Sequence, residues 1–136
     1  MDLEKLRKEF FVSTDLAEED LAHLIQVMRP FCAVDKSGNV EVRRNDLSGR
    51  QQIKLVLAAR LVAHKLNESI GEELDADDLS GCTGLPKNQA AARAKECVDE
   101  GFAKRSARGS YKACPGKLKG FFRELSGSVG SSHVTG

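Results

Sequence analysis

The chain has 136 residues, a formal net charge of +1, 40% hydrophobic residues and 30% charged residues, a composition typical of an ordinary soluble protein. At this length it can bury a real core without disulfide or metal staples. No apolar run is long enough to span a membrane and Met1–Lys5 lacks the form of a signal peptide, so we expect a cytoplasmic protein with no membrane partner.

Two amphipathic helices are predicted at the start of the chain. The first runs to about Phe11, and the second begins after a cap at Ser13 or Thr14 and ends at Pro30. Their apolar faces are formed by Leu3, Leu6 and Phe10 in the first and by Leu16, Leu21, Leu24, Ile25 and Met28 in the second.

A short β-hairpin and the longest helix are predicted next. Residues 31–34 and 39–42 read as strands joined by the polar turn Asp35–Gly38, with glycine at the last position of a type I turn. Ser48 and Gln51 have the spacing of a capping box for a helix from Gly49 to about Asn67. Apolar residues cover more than half of its circumference, so this helix must be buried on two sides.

Residues 75–101 predict a helix, a tight turn and a second helix. Asp75 caps the first helix, which ends near Thr83 at the left-handed residue Gly84, and Pro86 suits the first turn of the second helix. The second helix has an inward stripe of small residues: Ala90, Ala94, Cys97, Val98 and Gly101. Its outward residues are Lys87, Asn88, Gln89, Ala92, Arg93 and Lys95.

A second hairpin follows Gly101, the predicted helix stop. Residues 102–105 and 110–113 read as strands around the polar tip Ser106–Gly109. Together with Asp78-Leu79, Thr83-Gly84-Leu85-Pro86 and Glu100-Gly101-Phe102, this basic hairpin resembles the winged helix-turn-helix family of DNA-binding domains, over about half of the chain.

The resemblance implies a fold and a set of binding residues. In that family the second helix of the pair, here 86–100, enters the DNA major groove, and the hairpin wing, here 102–113, lies against the backbone or minor groove. The matching positions are Lys87, Asn88, Gln89, Arg93, Arg105 and Arg108. The nearby basic residues Lys95, Lys104 and Lys112 complete the predicted set of nucleic-acid-binding residues. The expected fold is mainly α with small β-hairpins (α+β), a winged helix-turn-helix with an N-terminal helical and hairpin extension.

Charge is segregated along the chain. From Lys87 to Lys119 basic residues far outnumber acidic ones, whereas residues 68–78 carry an acidic block. Excess positive charge on the predicted recognition helix and wing is the electrostatic footprint of polyanion binding.

A short final helix is predicted from its apolar spacing, and a Gly/Ser-rich tail follows. Leu118, Phe121, Phe122 and Leu125 share one face, which either closes over the core, near Phe10 and Phe11, or pairs with its copy in a homodimer. The expected domains are therefore 1–47, which packs on the core, the winged helix-turn-helix domain 48–125, and a disordered tail at 126–136.

Catalytic chemistry finds little support in the sequence. Residues 81–84 lack the Lys-Ser/Thr of a phosphate loop, and the adjacent carboxylates Asp77 and Asp78 point in different directions on a helix. The four cysteines and three histidines do not fall at metal-ligand intervals, so we expect free thiols, no metal, no cofactor and no enzyme activity.

The preferred hypothesis is a transcriptional regulator that binds double-stranded DNA. Two alternatives remain open: a winged-helix module for protein–protein interaction within a larger assembly, and a binder of structured RNA.

Overall fold

The computed structural model describes residue 3 and residues 18–44, 46–106 and 108–125, a mainly helical structure with two small antiparallel hairpins. The elements are α1 (Glu18–Met28), β1 (Cys32–Val34), β2 (Val40–Val42), α2 (Gly49–Leu66), α3 (Ala76–Thr83), α4 (Lys87–Asp99), β3 (Ala103–Arg105), β4 (Tyr111–Ala113), a 3-10 turn (Pro115–Lys117) and α5 (residues 118–125). The order of elements predicted from α1 onward is confirmed. The predicted first helix, the cap at Ser13 or Thr14 and the tail from residue 126 lie outside the described residues.

Helix α2 is the centre of the fold. Its capping box is present, because the Gln51 N–H donates to Ser48 Oγ at 3.1 Å and the Ser48 N–H donates to Gln51 Oε1 at 3.0 Å. The buried residues of α2 are Ile53, Leu55, Val56, Leu57, Ala58, Ala59, Leu61, Val62 and Ala63. Helix α1 and the first hairpin pack on α2, as do α3, α4 and β4, so the prediction of a helix covered on more than one side is confirmed.

The first hairpin is fastened to α2 by a long-range contact. The backbone N–H of Asn39 donates to the Asp35 carboxylate at 2.9 Å and is the main cause of the lowered pKa of that group. Gly38, with a φ of +91°, closes the turn. Arg60 Nη1 donates to the Gly38 carbonyl oxygen at 3.0 Å, and Arg60 Nε donates to that of Gly71 at 2.8 Å. One α2 side chain therefore ties the hairpin to the loop after α2.

The helix pair α3–α4 follows the predicted cap chemistry. The Asp78 N–H donates to the Asp75 carboxylate at 2.8 Å, and the Asp75 N–H donates to the Asp78 carboxylate at 3.2 Å. Gly84 adopts a φ of +79° and its N–H donates to the Ser80 carbonyl oxygen at 2.9 Å. Pro86 lies one position earlier than predicted, at the N-cap instead of in the first turn, so α4 begins at Lys87.

The last helix closes over the core. Its four apolar side chains, Leu118, Phe121, Phe122 and Leu125, are all buried. The Phe121 ring lies edge-on to the Phe102 ring with centroids 5.4 Å apart, and Lys119 Nζ lies 2.9 Å from the Asp20 carboxylate of α1. The intramolecular interpretation of this helix is confirmed for these side chains. A homodimer through terminal helices stays a prediction, and Phe10 and Phe11 lie outside the described residues.

Candidate nucleic-acid interface

Helix α4 is held against the core by small side chains. Ala90, Ala94 and Cys97 are fully buried and Val98 is half-buried, as predicted. Gly101, the last residue assigned to this stripe, is instead exposed and lies beyond the helix with a φ of +85°. It occupies a Schellman motif, in which its N–H donates to the Val98 carbonyl oxygen at 3.0 Å and the Phe102 N–H donates to that of Cys97 at 2.9 Å. This motif turns the chain sharply from α4 into β3.

The outer ridge of α4 lies opposite the buried stripe. A period of 3.6 residues places Asn88, Ala92, Lys95 and Asp99 on this ridge, and all four are exposed. Gln89 is exposed beside it, and its backbone N–H donates to Asn88 Oδ1 at 3.0 Å. The ridge therefore presents two side-chain amides near the start of α4 and one lysine further along.

Two of the predicted cations on α4 are tied to neighbouring carboxylates. Lys87 Nζ lies 3.2 Å from Asp77 Oδ1, which joins the start of α4 to α3. Arg93 Nη1 lies 2.7 Å from both carboxylate oxygens of Glu96. Arg93 also lies against the start of α2, since its Cγ is 3.7 Å from the position that a Cβ on Gly49 would take. Because of these ion pairs, Lys87 and Arg93 offer a ligand less unpaired positive charge than the sequence of α4 indicates.

The β3–β4 hairpin, called the wing below, carries its predicted cations on two faces. Lys104 faces Lys112 directly across the strands, and Arg105 faces Tyr111. Because side chains alternate along a strand, the two lysines lie on one face and Arg105 on the other. The Arg105 guanidinium lies 5.9 Å from the centroid of the buried Tyr111 ring, and Arg108 is exposed at the tip. Ala107 lies outside the described residues.

Leu74 joins the wing to the helices, a contact that the sequence interpretation missed. The Leu74 N–H donates to the Tyr111 carbonyl oxygen at 2.9 Å, and the Tyr111 N–H donates to that of Leu74 at 2.8 Å. The signal was a single large apolar residue between Glu73 and Asp75, which indicates a buried point in an otherwise charged segment. This bridge fixes the turn end of β4 beside the start of α3.

A cation cluster beneath the wing was also missed. Arg50 and Lys54 of α2 both pair with the carboxylate of Glu100 at the end of α4. The Lys54 ammonium lies 5.2 Å from the centroid of the Phe102 ring, and its side chain is only 14% exposed. A lysine between the buried residues Ile53 and Leu55 was the signal, because a largely buried charge requires a partner. The cluster fixes the junction of α4 and the wing on α2.

The predicted binding residues thus fall into four groups. Asn88, Gln89 and Lys95 are exposed on α4, whereas Lys87 and Arg93 are paired at its edges. On the wing, Arg105 and Arg108 lie at or near the tip, and Lys104 and Lys112 share the other face.

Within the described ranges, no group of three or more His, Cys, Asp or Glu side chains is placed to hold a metal ion. None of the helices in the described part of the chain has the length and apolar composition needed to cross a bilayer. No family model, curated protein or solved structure matches this chain in sequence or structure comparisons.

Proposed function

We propose that the chain binds duplex DNA as a winged helix-turn-helix protein and acts as a transcriptional regulator. The observation that carries the proposal is the common attachment of the α4 ridge and the wing. The ion pairs of Arg50 and Lys54 with Glu100 fix the end of α4 and the start of the wing to α2. Backbone hydrogen bonds to Leu74 join the wing to the start of α3. This attachment supports a binding mode in which the helix reads bases and the hairpin contacts phosphates at a fixed spacing.

The side chains on this surface have complementary roles in the proposal. Asn88 and Gln89 can pair with the edge of adenine, each through one amide donor and one amide acceptor. Lys95 contacts a phosphate, and Arg105 and Arg108 contact phosphates or the minor groove from the wing. Lys87 joins α4 to α3 through Asp77, and Arg93 pairs with Glu96 within α4, so neither leads the readout.

The proposal is tested with a fluorescent duplex of generic sequence, titrated at about 50 and about 200 mM salt. We expect Arg105→Glu/Arg108→Glu to weaken binding to every duplex and to reduce the slope of log affinity against log salt by about 2, since each lost phosphate contact removes about one counterion. The matched control is Arg29→Glu/Lys36→Glu, which makes the same charge change at exposed positions outside α4 and the wing. Equal slopes for the wing variant and the wild type would contradict the docking.

A second arm tests base readout. Asn88→Ala and Gln89→Ala should change the sequence preference in a competition with a random duplex pool, at a cost of about 1–3 kcal/mol for the preferred base. Affinity for generic duplex should change little, because these side chains are assigned to bases and not to phosphates. A uniform loss across all sequences would reject this assignment.

The protein–protein interaction module is supported by one observation on the same helix. Ala92 lies in the middle of the α4 ridge, and the neighbouring Arg93 is neutralised by Glu96. A small, locally neutral ridge suits close contact with another helix. Absence of duplex binding at low salt would favour this function, and a comparison of duplex DNA with duplex RNA separates the RNA alternative.

A further inference from the structure

A lysine-lined cavity lies between the wing, α2 and the 3-10 turn. Its volume is about 440 Å³, within the range of small-molecule sites. Lys104 and Lys112 of the wing contribute to it, as does Lys117 of the 3-10 turn, and Lys65 of α2 also lines it. Glu72 is the single acidic residue among the lining side chains described. The cavity is therefore strongly positive in formal charge.

Two of these lysines oppose each other in the fold. Lys104 and Lys112 face each other directly across the strands, an arrangement that costs stability because like charges repel at this distance. Glu72 lies 3.5 Å from Lys112 and offsets part of the repulsion. The equivalent cross-strand pair of the first hairpin is Ala33 and Glu41, so the same backbone forms without opposed cations. A bound anion would relieve the repulsion.

We propose that this cavity binds a small molecule that carries two or more linked phosphates. Lysine ammonium groups are mobile point charges, and several of them around one concave space suit a compact polyanion. The site is separate from the proposed DNA surface, because Lys104 and Lys112 lie on the face of the wing opposite Arg105. Occupancy would bridge the wing to the turn that leads into α5.

Cys114 provides a direct reporter of occupancy. It lines the cavity and is half-buried, whereas the half-buried Cys82 lines a different cavity beside Asp77 and Asp78. The experiment measures alkylation of both thiols by iodoacetamide, followed by peptide mass spectrometry, with inorganic tripolyphosphate as the probe. At about ten times its dissociation constant, tripolyphosphate should slow alkylation of Cys114 about tenfold and leave Cys82 unchanged.

Variants identify the cations that hold the probe. Lys104→Gln/Lys117→Gln should abolish the protection of Cys114 and weaken tripolyphosphate binding in calorimetry about tenfold or more. Lys36→Gln/Lys119→Gln removes the same charge outside the cavity and should retain both signals. A parallel titration with ATP distinguishes a nucleotide site, which would bind ATP more tightly than tripolyphosphate, from a site for phosphate groups alone.

Three outcomes would overturn the proposal: no protection of Cys114 in the wild type, equal slowing of Cys82, or equal loss of protection in the two double variants. The measurements contain no DNA, so a failure of the proposed DNA binding leaves their result independent.

Discussion

The first hairpin and the wing have the same strand register and the same hydrogen bond across their turns but different surroundings. Cys32 faces Val42 as Ala103 faces Ala113, and each turn ends in a glycine with positive φ, Gly38 or Gly109. In each turn the glycine N–H donates at 3.0 Å to the carbonyl oxygen of the first turn residue, Asp35 in the first hairpin and Ser106 in the wing. One backbone design is therefore used twice.

The two copies differ in what their turns and central pairs contact. A Cβ added at Gly38 would press against Ile70 and Arg60, whereas among the described residues one added at Gly109 would meet the end of the flexible Arg105 side chain. The central cross-strand pair is Ala33 and Glu41 in the first hairpin and two lysines in the wing. The same strand register therefore accommodates both an opposed pair of lysines and a pair without opposed cations.

The largest expected difference between the hairpins lies at their turn glycines. Gly38→Ala should lower the free energy of unfolding by about 3 kcal/mol, because a positive φ costs an alanine 1–2 kcal/mol and overpacking adds more. The new Cβ would lie 3.0 Å from Ile70 Cγ2 and 3.3 Å from Arg60 Cζ. Gly109→Ala should cost only about 1 kcal/mol, since its Cβ would meet ordinary contact at 3.6 Å from Arg105. Urea denaturation measures both, and equal losses would show that packing does not distinguish the turns.

A second comparison uses two buried thiols, Cys32 in β1 of the first hairpin and Cys97 in α4, the helix that leads into the wing. Burial raises the pKa of each thiol from 9.0 to about 11, although Arg43 opposes the rise at Cys32 and Lys54 opposes it at Cys97. Between pH 9 and pH 11 the unfolded chain loses these protons while the folded chain keeps them. Stability should therefore fall with rising pH, by on the order of 2 kcal/mol per thiol across that window.

Denaturation curves at several pH values check this expectation. Cys32→Ala and Cys97→Ala should each lose less free energy of unfolding than the wild type between pH 9 and pH 11. Titration of the lysines affects the variants and the wild type alike. An unchanged slope in both variants would assign the alkaline loss to other groups.

The smallest expected effect concerns the central cross-strand pairs. Lys104→Thr should raise the free energy of unfolding by about 0.5 kcal/mol, because it removes the repulsion with Lys112. Ala33→Lys should raise it by a similar amount, because the new lysine would pair with Glu41. Both gains should shrink at high salt, because the interactions are electrostatic and exposed. A destabilising Lys104→Thr would mean that the lysine contributes packing that outweighs its repulsion.

Local cap and turn chemistry made much of the fold predictable from sequence. Asp75 and Gly84 delimit α3 through contacts within a few residues, and Ser48 starts α2 in the same way. The wing and first hairpin followed from short apolar runs around polar turns. Gly101 ends the helix as predicted, but its assignment to the buried stripe of α4 was wrong. The helical spacing of the stripe extends to Gly101, whereas the helix has already ended in the Schellman turn.

The contacts that assemble the candidate site were less accessible to sequence reasoning. Helical and strand periods indicate which face is buried, but not which long side chain reaches which distant group. Arg60 bonds the Gly38 carbonyl oxygen 22 residues away, and Lys54 meets Glu100 from another helix. The distribution of charged residues along the sequence placed positive charge on α4 correctly. In the folded chain, Lys87 and Arg93 are nevertheless paired with Asp77 and Glu96.

The bridge between Leu74 and Tyr111 has a mechanical consequence. Two backbone hydrogen bonds tie the first residue of β4, near the turn of the wing, to Leu74, so the hairpin cannot swing away from the start of α3 without breaking them. The wing and the helices therefore lose their relative conformational freedom when the chain folds. A partner does not have to order them when it binds. Association at this surface should resemble the docking of a preformed template, with amide hydrogens at both ends of the bridge among the slowly exchanging ones even before any partner is added.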